Sequence, residues 1–86
     1  MPEISRFYGI VIGMFFDDHP PAHFHVRYGE HQAVIEIDSL TITKGHLPPR
    51  TFGLVVEWAA KHKAELLENW RALETDLPLS KIEPLE

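Results

Sequence analysis

The sequence predicts an α+β domain, a four-stranded antiparallel β-meander packed on one face by a C-terminal helical segment. Two observations carry this. Between residues 23 and 43, apolar and polar side chains alternate with the two-residue period of a half-buried sheet. Beyond Leu47 the apolar residues recur at helical spacing, and paired prolines, Pro20-Pro21 and Pro48-Pro49, stand where the structure should change. With 86 residues, the chain is read as one domain, 1–86.

The first strand is expected over residues 7–16, a continuous apolar run bounded by Asp17-Asp18. Ten residues are too few to span a membrane, which takes about 20. Glu3 before the run and the absence of a small-residue cleavage site argue against a signal peptide. The prolines of Asp17-Asp18-His19-Pro20-Pro21-Ala22 make a loop. In the second strand, 23–28, Phe24, Val26 and Tyr28 take one face and His23, His25 and Arg27 the other. The third, 33–38, sets Ala33, Ile35 and Ile37 on one face. The fourth, 40–43, turns Leu40 and Ile42 inward. A four-residue loop at Gly29–Gln32 pairs Val26 with Ile35 and Phe24 with Ile37. A two-residue loop at Asp38-Ser39 pairs Ile35 with Ile42. One face is then apolar across three strands.

Pro48-Pro49 suits a helix's first turn. Phe52, Val55, Val56, Ala59, Leu66, Leu67, Trp70 and Leu73 define the apolar stripe of a helical segment over 49–75. Unbroken, it would be about 39 Å long against about 20 Å for a strand of six residues, so a bend is expected near 61–64. The tail, 77–86, is extended, and Leu79, Ile82 and Leu85 are too apolar to hang free. The first strand is apolar on both faces, and one helical layer covers only one of them. A homodimer or a hetero-partner interface is therefore expected to cover the other, in preference to the tail.

Composition excludes several kinds of chemistry. Without cysteine there is no disulfide, thiolate zinc site, iron–sulfur cluster or cysteine nucleophile. A net charge of −5 leaves no general basic field for nucleic acid, so any anion site is local. Nucleophile-elbow and phosphate-cradling glycine motifs are missing. What stands out is six histidines, three of them in Asp17-Asp18-His19-Pro20-Pro21-Ala22-His23-Phe24-His25.

His23 and His25, two apart on one strand, lie about 6.6–6.8 Å apart on one face. The expected register sets Glu36 beside His25 and Asp38 beside His23. A carboxylate beside an imidazole fixes which nitrogen carries the proton, so His23, His25, Glu36 and Asp38 are the candidates for acid–base catalysis. As metal ligands, the candidates are His19, His23 and His25 with Asp17 or Asp18, since a His-x-His pair on a strand can chelate a divalent transition metal. No organic cofactor is expected. As an anion site, the candidates are Arg27, Arg50 and Lys44, for RNA or a phosphate ligand, with the helix start near Pro49 adding free N–H groups. Trp58 and Trp70, at helical spacing, read as core or interface anchors.

Several stretches together are familiar. Pro2-Glu3-Ile4-Ser5-Arg6-Phe7-Tyr8-Gly9-Ile10, His19-Pro20-Pro21-Ala22-His23-Phe24-His25-Val26, Glu57-Trp58-Ala59, Glu68-Asn69-Trp70 and Lys81-Ile82-Glu83-Pro84-Leu85 resemble the DUF4160 family, a domain of unknown function. The resemblance implies a small bacterial or archaeal cytoplasmic domain, encoded beside another small protein in a toxin–antitoxin-like pair, with the histidine segment as its signature. It supplies no catalytic residues. It departs at Gly13, where a larger polar residue is common in the family, and a glycine is expected to loosen that strand. The reading is a partner-binding component of such an operon with a histidine-rich anion- or RNA-binding face. A metal-dependent enzyme and a structural interaction protein are the alternatives.

Overall fold

The computed structural model describes residues 1–16 and 18–86. The fold is α+β: an antiparallel sheet followed by two helices that lie against one of its faces. The sheet has five strands, not four: β1 (Glu3–Phe7), β2 (Ile10–Gly13), β3 (His23–Tyr28), β4 (His31–Glu36) and β5 (Ile42–Gly45), in the spatial order β1-β2-β3-β4-β5.

The extra strand, β1, lies almost wholly before the apolar run expected to be one strand over 7–16: only Phe7 belongs to both, and the strand within the run, β2, starts at Ile10. The chain reverses at Tyr8-Gly9, both with positive φ (50° and 79°), the conformation of a two-residue type I′ turn. Glycine adopts it freely, whereas Tyr8 is not a turn-forming residue, so composition hid the turn.

The β3–β4 hairpin is also tighter than expected. Gly29-Glu30 is its whole loop, with Gly29 at φ 57°, and Tyr28 faces His31, Val26 faces Ala33 and Phe24 faces Ile35. The pairing is two residues from the expected one and keeps the same face inward, because side chains alternate with period two. The third strand therefore runs over His31–Glu36 rather than 33–38. The fourth starts at Ile42 rather than residue 40, after a loop in which Leu40 has positive φ (55°). Ile35 opposite Ile42 is as expected.

The helices are α1 (Pro49–Lys61) and α2 (Lys63–Glu74), with the break at His62. The buried stripe of α1 is Thr51, Val55, Trp58 and Ala59, and that of α2 is Leu66, Asn69, Trp70 and Leu73. Trp58 is fully buried at the centre, with Phe7 at 5.4 Å and Phe24 at 6.1 Å between ring centroids. Phe24, Val26, Ile35, Ile37, Val55 and Ala59 share that core, and Leu40, Ile42 and Phe52 pack at its margin.

The tail closes the structure. Ile82 N–H donates to the Ile4 carbonyl at 2.8 Å, along the outer edge of β1. Trp58 Nε1–H donates to the Glu83 carbonyl at 2.8 Å, and the Asn69 amide exchanges two hydrogen bonds of 2.9 Å with the Ser80 backbone. Ile82 and Leu85 are buried.

Much of the cover expected from a partner interface comes from the chain itself. Ile10, Ile12 and Met14 are fully buried in the chain's own core. On the opposite face, Val11 is buried at 8% exposure, with Arg6 and Arg27 as its cross-strand neighbours. Gly13 is buried too, and a Cβ there would meet the Met1 side chain at 2.5 Å, so it admits the N-terminus rather than loosening the strand. The apolar faces of the run are thus covered within one chain from Ile10 to Met14, whereas Phe15 and Phe16 at its end stay 41% and 52% exposed.

If the tail is a structural strap, Ile82→Ala removes a buried side chain and should cost about 2–5 kcal/mol in urea unfolding. Leu77→Ala, at an exposed position, should stay within about 0.5 kcal/mol of the parent.

Candidate metal centre

The outer face of the sheet, opposite Phe24 and Val26, carries the polar residues of the central strand, and Trp70 of α2 reaches it at His23. His23 and His25 leave β3 on this face because Phe24 and Val26 are committed to the core. The loop before β3 brings Asp18 back over them. One carboxylate oxygen, Asp18 Oδ2, lies 2.8 Å from His25 Nε2 and 3.1 Å from His23 Nε2. Ligand atoms of the three side chains all fall within 4.8 Å of one another. The side chains are 15%, 20% and 23% exposed for His23, His25 and Asp18, so solvent reaches the group without bathing it.

The other nitrogen of His23 decides what the group can do. His23 Nδ1 is 2.8 Å from the Pro21 carbonyl oxygen. A carbonyl only accepts, so Nδ1 carries the hydrogen. In the neutral ring Nε2 is then a bare lone pair, and a carboxylate oxygen, also an acceptor, lies 3.1 Å away. Two acceptors this close repel unless a positive charge lies near both, either a second proton on His23 or a cation. A backbone carbonyl that fixes the tautomer and leaves the opposite nitrogen free is the usual support of a metal-bound histidine.

Aromatic rings hold the imidazoles in place. Trp70 of α2 packs on His23 with centroids 5.1 Å apart, and Phe15 meets His25 edge-on at 4.5 Å. Neither neighbour was foreseen from the sequence. Trp70 is 47 positions along the chain from His23, and nothing in its spacing marks it as a neighbour.

The other candidates are dispersed. Glu36 pairs with His23 in the register, not with His25, which faces Val34. Asp38 is exposed in the β4–β5 loop, its carbonyl accepting from Lys63 Nζ at 2.7 Å, so it does not flank His23. His19 is exposed and outside the convergent group. Asp17 lies outside the described residues. Arg27 and Lys44 share the outer face with His25 and line one groove, whereas Arg50 lines another with Tyr8, Tyr28 and Glu57. The three basic residues therefore do not form one anion site.

The fold and this group define a small α+β domain with two histidines and one aspartate converging on an open sheet face. The chain belongs to the DUF4160 family, described as a domain of unknown function, which matches residues 9–71 and so includes the histidine segment and both tryptophan motifs. No curated protein matches the chain. No solved structure matches it either. Among the described residues, no helix is long and apolar enough to cross a membrane.

The proton assignment is directly testable. Long-range ¹H–¹⁵N spectra of the metal-free protein, recorded at a pH where the ring is neutral, should show His23 as the Nδ1–H tautomer. An Nε2–H tautomer would mean that Nε2 donates to Asp18 and has no lone pair to offer.

Proposed function

We propose that Asp18, His23 and His25 bind a divalent transition metal, and that the domain acts through this centre. The observation that carries the proposal is the close approach of two acceptors, His23 Nε2 and Asp18 Oδ2, with His25 Nε2 on the same oxygen. A tetrahedral ion with metal–nitrogen and metal–oxygen bonds of about 2.0–2.2 Å holds its ligand atoms about 3.3–3.6 Å apart. The observed 2.8 and 3.1 Å need only small side-chain movements to reach that. Two imidazoles and a carboxylate suit zinc, iron or nickel better than magnesium or calcium.

Three protein ligands leave a coordination position for water or substrate, which is the pattern of catalytic rather than structural zinc. An ion held there acts as a Lewis acid and acidifies a bound water. This supports the metal-dependent enzyme reading over the acid–base reading, because Glu36 is aligned with one histidine only and Asp38 with neither. The reading as a partner-binding member of a toxin–antitoxin-like operon rests on the family resemblance alone, whereas the metal reading rests on named atoms.

Protein purified without a histidine tag should bind one equivalent of Zn²⁺ or Co²⁺. At 100 times Kd the metal should stabilise the fold by about 2.7 kcal/mol, read as a rise in Tm. Combined His23→Ala and His25→Ala substitution should abolish the shift, Asp18→Asn should weaken it, and His19→Ala should leave it intact. Affinity should fall on acidification, since imidazole ligands must be deprotonated. No stoichiometric metal and no shift, or full binding by the double variant, would contradict the proposal.

A further inference from the structure

Beside His25 the outer face of the sheet forms a groove of about 530 Å³. Its floor is Val34, and Arg27, Lys44 and Gln32 stand around it, with Phe15 and Met1 at the side. The register explains the grouping. His25, Val34 and Lys44 lie on one rung across β3, β4 and β5, and Arg27 and Gln32 lie on the next outward-facing rung. Lys44 is two strands from His25, roughly 9.5 Å between Cα atoms, and Arg27 is roughly 6.7 Å along β3. Among the described residues, neither Arg27 nor Lys44 makes an ion pair.

Resting on the metal reading above, we infer that this groove is the substrate site of the metal centre, and that its ligand class is a small phosphate monoester with an apolar or aromatic organic group. The charge selects the anion. A divalent ion on Asp18 carries a net single positive charge and borders the groove through His25, and Arg27 and Lys44, which line it, add two more in a chain whose net charge is −5. A monoanionic carboxylate satisfies only part of this. A dianionic phosphate has three terminal oxygens, one for the open metal position and two for the Arg27 fork and the Lys44 ammonium. The Gln32 amide, between them, can donate to the same group. Glu36 lies away from the groove, opposite His23. The apolar wall selects the rest. Phe15 and Met1 are both 41% exposed, and with Val34 they offer the organic part an apolar surface next to the charges.

Phenyl phosphate is the probe, titrated by NMR into the full chain with and without one equivalent of Zn²⁺, and metal occupancy is measured on the same samples. Binding should move the Val34 and Gln32 amides. It should tighten at least about tenfold with zinc, and Arg27→Gln or Lys44→Gln should each weaken it about tenfold, as expected for losing a charge-assisted hydrogen bond. Both positions are exposed, so the variants should fold, and unchanged zinc occupancy in them confirms it. Benzoate should bind more weakly than phenyl phosphate. Zinc binding with no phenyl phosphate binding, or with binding indifferent to both basic residues, overturns the groove assignment and leaves the metal reading standing. Benzoate binding as tightly overturns the phosphate class. No zinc binding, but phenyl phosphate binding that depends on Arg27 and Lys44, overturns the metal reading and supports the groove as an anion site. Neither ligand binding overturns both.

Discussion

The pleat of the central strand is the constraint on which the rest depends. β3 is hydrogen-bonded to β2 and β4 and has one face on the helices. Phe24 is fully buried and meets the ring of Trp58, itself fully buried. Anchoring Phe24 fixes the outward direction of His23 and His25. A slip of one residue would forfeit roughly 1.5–3 kcal/mol for Phe24 alone. It would also bury an imidazole without a partner, at a further cost of about 1–3 kcal/mol. The histidine pair is therefore directed outward by the hydrophobic core, and Trp70 and Phe15 then hold the imidazoles themselves.

The same constraint explains the division of labour between the two sides of the sheet. The inner face takes most of the apolar packing, and the tail completes it by binding the edge of β1 and the indole of Trp58. The outer face is left thinly covered, with the aliphatic stems of Arg6 and Arg27 beside Val11 and Met1 over Gly13. An open sheet face with fixed side-chain directions is where a chain this small can hold a site.

How much of this was legible in the sequence follows from what a period-two pattern encodes. Which residues face inward on β3 and β4 was readable, because alternation reports parity. The pairing between those strands was not, since a shift of two residues preserves parity. Only the turn could reveal it, and Gly29 marks where the turn is. The turn of the β1–β2 hairpin was hidden because Tyr8 takes a left-handed conformation usually left to glycine or asparagine. Of the candidate site, the two histidines were readable as an i, i+2 pair on one face. Asp18 was readable only as one of two adjacent acids, because a loop's path carries no periodic signal. The Pro21 carbonyl, a backbone atom, and Trp70, brought in by the helix break at His62, left no mark on the local pattern.

The central claim is that packing behind β3 presents two imidazoles and one carboxylate as a ready ligand set. X-ray absorption spectroscopy of the cobalt- or zinc-loaded protein tests it most directly. The account predicts a first shell of nitrogen and oxygen only, at about 2.0–2.2 Å, with outer-shell scattering from two imidazole rings. Scattering from three imidazoles, which would bring in His19, or from none, would contradict it.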